Sequence, residues 1–264
     1  MHSSFVSVQG RRLEYRRIAA TRPNTPTLVF LHEGLGSVSL WRDFPARVAQ
    51  ETGCGAVVYS RYGYGRADVL EASHKVDYMH REAREVLPEL LGKLGILDPL
   101  LVGHSDGASI ALIYASTHPG MKGLILEAPH VFVEDVSVES IAAAKQTFES
   151  TDLPKRLARH HTDPAKTFYG WNDIWLHPDF RAWNIEEVLP GIGCPVLAIQ
   201  GLDDEYGTLR QLEAIERQAA GKVTIVKLES CGHSPHRDQP DATLAAMVRF
   251  IRDVVPGAIQ AQSG

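Results

Sequence analysis

The distribution of hydrophobic residues along the chain predicts alternating strands and helices. Short, nearly continuous apolar runs are typical of strands that are buried on both faces. They read TLVFL (27–31), GAVVY (55–59), LLVG (100–103), GLILE (123–127), PVLAIQ (195–200) and KVTIVKL (222–228). Stretches of helical length lie between them, at 80–94, 108–117, 209–219 and 242–254. The alternation predicts an α/β fold with a mostly parallel central sheet flanked by helices.

Two segments depart from this alternation. FVSVQGRRLEYRRIA alternates apolar and polar residues around a glycine, which predicts a β-hairpin between positions 5 and 18. From 134 to 187 no strand pattern appears, and the aromatic-rich stretch FYGWNDIWLHPDFRAWN is part of a segment longer than an ordinary connection. We therefore predict a small helical cap at 134–187, inserted after the sixth strand, and a core domain formed by 1–133 and 188–264.

Composition narrows the classes of partner. The chain has 27 Lys and Arg against 32 Asp and Glu, a net charge of −5 that disfavours nucleic-acid binding. No apolar run approaches the roughly 20 residues that cross a bilayer, and the N-terminus lacks the pattern of a secretory signal. The three cysteines form no CxxC pair and the histidines no HExxH motif, so we expect no metal site. The sequence predicts a cytoplasmic protein without a membrane partner.

The stretch VGHSDGASIALIYA (102–115) places Ser105 between a predicted strand and a predicted helix. A nucleophile elbow of the form G-x-S-x-G requires this strand, turn and helix context. Gly103 and Gly107 would leave room for the tight bend that exposes the hydroxyl. The alternative is an ordinary serine that caps an ordinary helix.

A serine nucleophile needs a base and a carboxylate that orients the base. GLDDEYG follows the strand PVLAIQ and supplies Asp203 and Asp204. ESCGHSPHRDQPD follows the strand KVTIVKL and supplies His233, with His236 expected at the surface or at a helix start. The order serine, acid, histidine, each after a strand, is the order found in α/β-hydrolases.

Five motifs in sequence order resemble those of the α/β-hydrolase superfamily. They are LHEGLGS (31–37), SRYGYGRAD (60–68), GHSDG (103–107), GLDD (201–204) and GHSPHRDQP (232–240). The resemblance implies Ser105 as nucleophile, His233 as general base and then general acid, and Asp204 as the orienting acid, without a cofactor. Asp203 and Glu127 are competitors for the acid.

The same resemblance implies an oxyanion hole made of backbone N–H groups. These would come from Asp106, directly after the nucleophile, and from Gly34 or Glu33. Glu33 stands where the family usually has glycine, which is a departure from the pattern.

The elbow GHSDG also resembles that of biphenyl hydrolase-like, amino-ester-cleaving members of the superfamily, in which the aspartate can bind an α-amino group. Asp106, with Glu33 or Glu127, is therefore a candidate for binding a positive group of the substrate. The alternative is that Asp106 points into the protein and accepts backbone hydrogen bonds.

The aromatic residues of the predicted cap allow two interpretations. They could line an apolar pocket over Ser105, or they could pack against one another to stabilise the cap. Trp171, Trp175 and Trp183 are the candidates for substrate contact.

We predict an enzyme, a serine hydrolase that cleaves a carboxylic ester of a small molecule through an acyl-enzyme. Alternatives within the enzyme class are hydrolysis of an amino-acid ester, amide or lactone, and cleavage of a carbon–carbon bond in a vinylogous diketone. An alternative of another class is a non-catalytic receptor for a small ligand on a hydrolase fold. The sequence is compatible with a monomer or a homodimer.

Overall fold

The central sheet of the computed structural model, which describes residues 3–255, has eight strands. They are β1 Ser4–Val8, β2 Arg11–Ile18, β3 Thr27–Leu31, β4 Gly55–Ser60, β5 Pro99–His104, β6 Leu124–Glu127, β7 Val196–Gly201 and β8 Val223–Leu228. Their order in the sheet is β1-β2-β4-β3-β5-β6-β7-β8. β1 pairs antiparallel with β2, and β2 with β4, whereas the pairs from β4 to β8 are parallel. The predicted α/β class and mostly parallel sheet are confirmed.

Helices cover both faces of this sheet. They are α1 Phe44–Thr52, α2 Tyr78–Arg81, α3 Leu87–Lys93, α4 Asp106–Ser116, α5 Asp135–Ser150, α6 Leu153–Leu157, α7 Pro164–Trp175, α8 Arg210–Gln218, α9 Pro235–Asp238 and α10 Pro240–Val254. A π-helical turn, Glu82–Val86, joins α2 to α3, so the stretch predicted as one helix at 80–94 has three parts.

The apolar side chains of the strands belong to two hydrophobic clusters, one on each face of the sheet. In β3, Val29 and Leu31 belong to the cluster that contains α3 and α4, whereas Leu28 and Phe30 belong to the cluster that contains α1 and α10. Successive side chains of a strand point to opposite faces, so a strand covered on both sides must be apolar at every position. This explains why the runs are continuous.

The connection between β6 and β7 holds α5, α6, α7 and two 3₁₀ turns, Pro178–Ala182 and Glu186–Gly191. This is the segment in which we predicted a helical cap. Its aromatic residues join the hydrophobic cluster on the α4 face of the sheet. Positions 1–2 and 256–264 of the predicted core domain lie outside the described residues. Across residues 3–255, every helix is too short or too polar to span a bilayer.

Candidate active site

Ser105 lies at the turn between β5 and α4, in a backbone conformation with φ 53° and ψ −117°. A positive φ is uncommon for a residue with a side chain and marks local strain. The flanking glycines are packed against backbone. A Cβ on Gly103 would lie 2.4 Å from the carbonyl oxygen of Gly107, and one on Gly107 would lie 2.1 Å from that of Leu31. Glycine is therefore needed on both sides of this turn, because the neighbouring main chains leave no room for a Cβ.

Asp204 and His233 are joined by a hydrogen bond. His233 Nδ1 donates to Asp204 Oδ1 at 2.8 Å, and the backbone N–H of Tyr206 donates to the same oxygen at 2.9 Å. Burial works to raise the pKa of Asp204, but the charge and hydrogen bond of His233 outweigh it and lower the pKa. The side chain of Asp203 is exposed, and the histidine pairs with Asp204 instead.

Ser105 is 7% exposed, and its neighbour in the chain, His104, contacts the loop that carries His233. The His233 ring centroid lies 5.2 Å from that of His104, the residue that precedes Ser105. Within residues 3–255, the hydroxyl of Ser105 makes no hydrogen bond to His233. Hydrogen bonds of this kind are often long before substrate binds, so the arrangement is compatible with proton transfer in a complex.

The loop that follows β3 carries His32, Glu33 and Gly34. Arg61 Nη2 donates to the carbonyl oxygens of His32 at 3.3 Å and Glu33 at 3.0 Å. A Cβ on Gly34 would lie 2.1 Å from Nε1 of Trp171, so this indole lies directly on the loop. Asp106 is the first residue of α4, and its N–H has no partner within the helix. Asp106 follows Ser105 directly, and the loop after β3 passes beside the same turn, since a Cβ on Gly107 would lie 2.8 Å from the carbonyl oxygen of His32.

The side chain of Asp106 is buried and paired with other side chains of the protein. Its side chain is 1% exposed and accepts hydrogen bonds from Tyr78 Oη at 2.8 Å, Trp175 Nε1 at 3.2 Å and Arg61 Nη2 at 3.4 Å. Its carboxylate is already paired with a buried guanidinium, which disfavours the hypothesis that Asp106 binds a substrate cation. The burial agrees with the alternative, in which Asp106 points into the protein, but its donors are side chains and not backbone amides.

The partner of Asp106 is itself deeply buried. Burial works to lower the pKa of Arg61, but the neighbouring Tyr64 and Asp106 outweigh this and keep the guanidinium charged. Its carbon atom Cζ lies 4.7 Å from the centre of the Tyr64 ring. Sequence reasoning missed Arg61 as part of the site, although it stands in the quoted motif SRYGYGRAD.

Glu127, another candidate for substrate binding, is paired with His236 inside the protein. Its side chain is fully buried, and Oε2 accepts hydrogen bonds from the backbone N–H of His236 at 3.0 Å and from its Nδ1 at 2.8 Å. Burial works to raise the pKa of Glu127, but the charge and hydrogen bonds of His236 lower it. His236 lies in the first turn of α9 as expected, yet it is buried, because its ring packs 4.4 Å from that of Trp41.

Glu33 retains 18% exposure of its side chain. The carboxylate turns back over Gly36, where a Cβ would lie 2.2 Å from Oε2, and it approaches His104 Nδ1 at 3.4 Å. The glutamate in place of the family's glycine therefore changes the contacts of this loop by adding a carboxylate beside a buried histidine.

The three candidate tryptophans are all buried, with different neighbours. Trp171 lies on Gly34, next to the loop after β3. Trp175 donates its indole N–H to Asp106, and Trp183 stacks on Phe180 at 5.3 Å between ring centres. For Trp175 and Trp183, these contacts agree with the second interpretation of the sequence, in which the aromatic residues of this segment stabilise it by packing.

His130 is a further buried residue that sequence reasoning missed. Its ring centre lies 5.5 Å from that of His233. Burial, together with the charge of His233, lowers the pKa of His130 to about 3. No motif quoted from the sequence contains it, and its proximity arises from the loop that follows β6.

Comparison with known proteins agrees with the fold. The chain is 23% identical over 277 residues to a proline iminopeptidase of Lactobacillus helveticus (strain DPC 4571), an alignment that covers 90% of this chain and 93% of that protein. It is 25% identical over 265 residues to a 2-succinyl-6-hydroxy-2,4-cyclohexadiene-1-carboxylate synthase of Enterobacter sp. (strain 638), with 88% and 94% covered.

Among solved structures, the enol-lactonase from Burkholderia xenovorans LB400 superimposes with a TM-score of 0.73 at 20% identity, covering 94% of this chain and 99% of that one. A model of the alpha/beta hydrolase family matches residues 28–246, from the first parallel strand into the last helix. On this match, the protein is an enzyme that belongs to the alpha/beta hydrolase family.

Proposed function

We propose that this enzyme is a serine hydrolase that cleaves a carboxylic ester of a small molecule through an acyl-enzyme. The observation that carries the proposal is the hydrogen-bonded pair Asp204–His233 beside the strained turn of Ser105. A serine hydroxyl is a weak nucleophile unless a base is held within reach and a third group orients that base. These residues supply the nucleophile, the base and the orienting group.

In the proposed mechanism, Ser105 Oγ attacks the ester carbonyl while His233 Nε2 accepts the hydroxyl proton. Because Nδ1 donates to Asp204, the neutral ring presents Nε2 as the acceptor, which is the tautomer the step requires. The imidazolium then gives its proton to the leaving alcohol. Water, activated by the same histidine, hydrolyses the acyl-enzyme and restores Ser105.

The tetrahedral intermediate carries a negative oxygen that needs hydrogen-bond donors fixed in advance. The N–H of Asp106 at the start of α4 is suited to this role, because it has no helical partner and the helix dipole favours a negative charge there. The loop after β3 would supply a second N–H, from Gly34 or Glu33. Arg61 keeps that loop in place through its two carbonyl contacts.

A decisive experiment is labelling with a fluorophosphonate, with the adduct located by peptide mass spectrometry. We expect rapid modification of Ser105 in the wild type and none in Ser105→Ala, and strong loss in His233→Ala. His177→Ala, which changes an exposed histidine, is the matched control. Labelling at another residue, or unchanged labelling in His233→Ala, would contradict the proposed mechanism.

The orienting acid can be tested with a neighbouring control. Asp204→Asn should lower kcat by about 10⁴-fold, because the amide favours the wrong tautomer of the histidine. Asp203→Asn changes an exposed side chain one position away and should leave kcat unchanged. The substrate panel should contain p-nitrophenyl esters of increasing acyl length, the matching anilides and a vinylogous diketone. Faster turnover of the anilide or the diketone would replace the ester proposal by one of those reactions.

A further inference from the structure

His104, the last residue of β5, links two loops of the site. Its side chain is fully buried and points between the loop that carries Glu33 and the loop that carries His233. Nε2 lies 2.7 Å from the backbone carbonyl oxygen of His233, and Nδ1 lies 3.4 Å from Oε2 of Glu33. Within residues 3–255, Nδ1 makes no hydrogen bond, so its contact with Glu33 is an ion-pair approach. One side chain thus touches the oxyanion loop and the loop of the proposed base.

The partners determine where the protons of this ring must be. A carbonyl oxygen can only accept, so the contact with His233 requires a proton on Nε2 of His104. A neutral ring would then turn the bare lone pair of Nδ1 toward the carboxylate of Glu33. Such a pair is repulsive and buried, and it becomes favourable when a proton lies between the two atoms.

The carboxylate of Glu33 lies in space that is open because residue 36 is a glycine. Its Oε2 occupies the space that a Cβ on Gly36 would enter, at 2.2 Å. Its backbone is fixed as well, because the carbonyl oxygen accepts hydrogen bonds from Arg61 Nη2 at 3.0 Å and from His32 Nδ1 at 2.6 Å. The carboxylate is therefore directed at His104 by the path of its own loop.

We propose that His104 is a positioning residue, held as an imidazolium by Glu33, which ties the oxyanion loop to the loop of His233. It keeps the N–H groups of the oxyanion hole and the base at a fixed separation during hydrolysis. This inference rests on the proposed function, because it assigns a role within the same site. It also gives a reason for the glutamate that stands where the family usually has glycine.

The charges around His104 agree with this assignment. Burial works to lower the pKa of His104, but the contact with Glu33 and the charge of Glu127 raise it above the ordinary value. Burial works to raise the pKa of Glu33, and His104 instead lowers it. Two further titratable groups face the ring, since the centres of His233 and His236 each lie 5.2 Å away.

The first test reads the proton directly in the intact wild-type enzyme. Imidazole ¹⁵N NMR at pH 7.5 should show both nitrogens of His104 protonated, with the signal assigned by its loss in His104→Gln. In Glu33→Gln the Nδ1 signal should shift to that of an unprotonated nitrogen, whereas Glu51→Gln, which changes an exposed carboxylate on α1, should leave it unchanged. An unprotonated Nδ1 in the wild type would overturn the proposal without any need for a stable variant.

The second test is kinetic. We expect Glu33→Gln and His104→Gln to lower kcat by about 10- to 100-fold with little change in KM, because misplacement of the reacting groups affects the chemical step. His104→Gln should also move the acidic limb of the kcat/KM profile to higher pH, because a positive charge near His233 is lost. A purely structural defect would lower the rate without moving the limb.

The two proposals fail in different ways. Wild-type kinetics in both variants would overturn the role of His104 while leaving the hydrolase mechanism in place. Activity that survives in Ser105→Ala would overturn the hydrolase mechanism, and the nitrogen spectrum would still decide whether His104 and Glu33 form an ion pair.

Discussion

Replacement of Arg61 by methionine should strongly destabilise the protein. Methionine keeps a long apolar side chain, but it removes the charge and the donors. The side chains of Arg61 and Asp106 are 3% and 1% exposed, so Asp106 would become a buried carboxylate without its cation. Tyr78 and Trp175 would still donate to it, but neither carries a charge.

The size of the effect follows from the geometry. Two unit charges separated by 3.4 Å attract by about 5 kcal/mol at an effective dielectric constant of 20. Removal of one partner of a buried ion pair typically costs about 3–5 kcal/mol, because the remaining charge stays desolvated. The loss of Arg61 also removes one hydrogen-bond donor from each of the carbonyl oxygens of His32 and Glu33. We therefore expect a loss of about 3–5 kcal/mol in the free energy of unfolding.

Urea denaturation followed by tryptophan fluorescence measures this loss. Arg47→Met is the matched control, since Arg47 pairs with Asp241 at 2.6 Å while the two side chains are 35% and 89% exposed, and we expect it to cost less than about 1 kcal/mol. The double variant Arg61→Met with Asp106→Asn should be less destabilised than the sum of the single variants, by about 0.5–3 kcal/mol. If Arg61→Met costs no more than the control, the pair does not stabilise Asp106 and the reasoning fails.

Three further predictions concern packing, pH and a hydrogen bond. Gly107→Ala places a Cβ 2.1 Å from a backbone oxygen of β3 and should cost about 2 kcal/mol or more in urea unfolding, whereas Gly92→Ala, with open space on α3, should gain about 0.5–1 kcal/mol. Burial lowers the pKa of His161 to about 4, so the unfolded chain takes up its proton first and stability falls between about pH 6.5 and 4. His161→Gln should make that fall shallower, by up to about 1.4 kcal/mol per pH unit, in melts at several pH values. Trp175→Phe removes a donor to Asp106 and should cost about 1–3 kcal/mol by the same urea assay.

The sheet could be predicted from sequence because its physical requirement is local. A strand covered on both faces needs mostly apolar residues, and the runs of β3 to β7 are nearly continuous for this reason. The run of β8, which lies at the edge of the sheet, contains Lys227 and is only partly buried. The close packing at Gly103 and Gly107 was predictable for a similar reason, since a tight turn excludes a Cβ whatever the distant sequence is. The pattern of apolar residues did not predict the helix α1.

The partners of the charged residues could not be predicted in this way. Arg61 and Asp106 are 45 positions apart, and their contact exists because β4 and β5 lie on either side of β3 and end at the same edge of the sheet. The same holds for Glu127 and His236, which are 109 positions apart. A sequence pattern shows which residues carry charge, but the topology decides which charges meet.

The carboxylates of Asp106 and Glu33 are balanced in the same way. Asp106 and Glu33 both bring a carboxylate next to the proposed oxyanion hole, where an uncompensated negative charge would oppose the developing oxyanion. Each is matched by a buried basic side chain, Arg61 for the first and His104 for the second. A substrate cation that replaced either partner would leave a guanidinium or an imidazolium buried without its carboxylate, a loss of several kcal/mol. The internal pairs therefore favour a substrate that is neutral around the scissile bond, as a simple ester is.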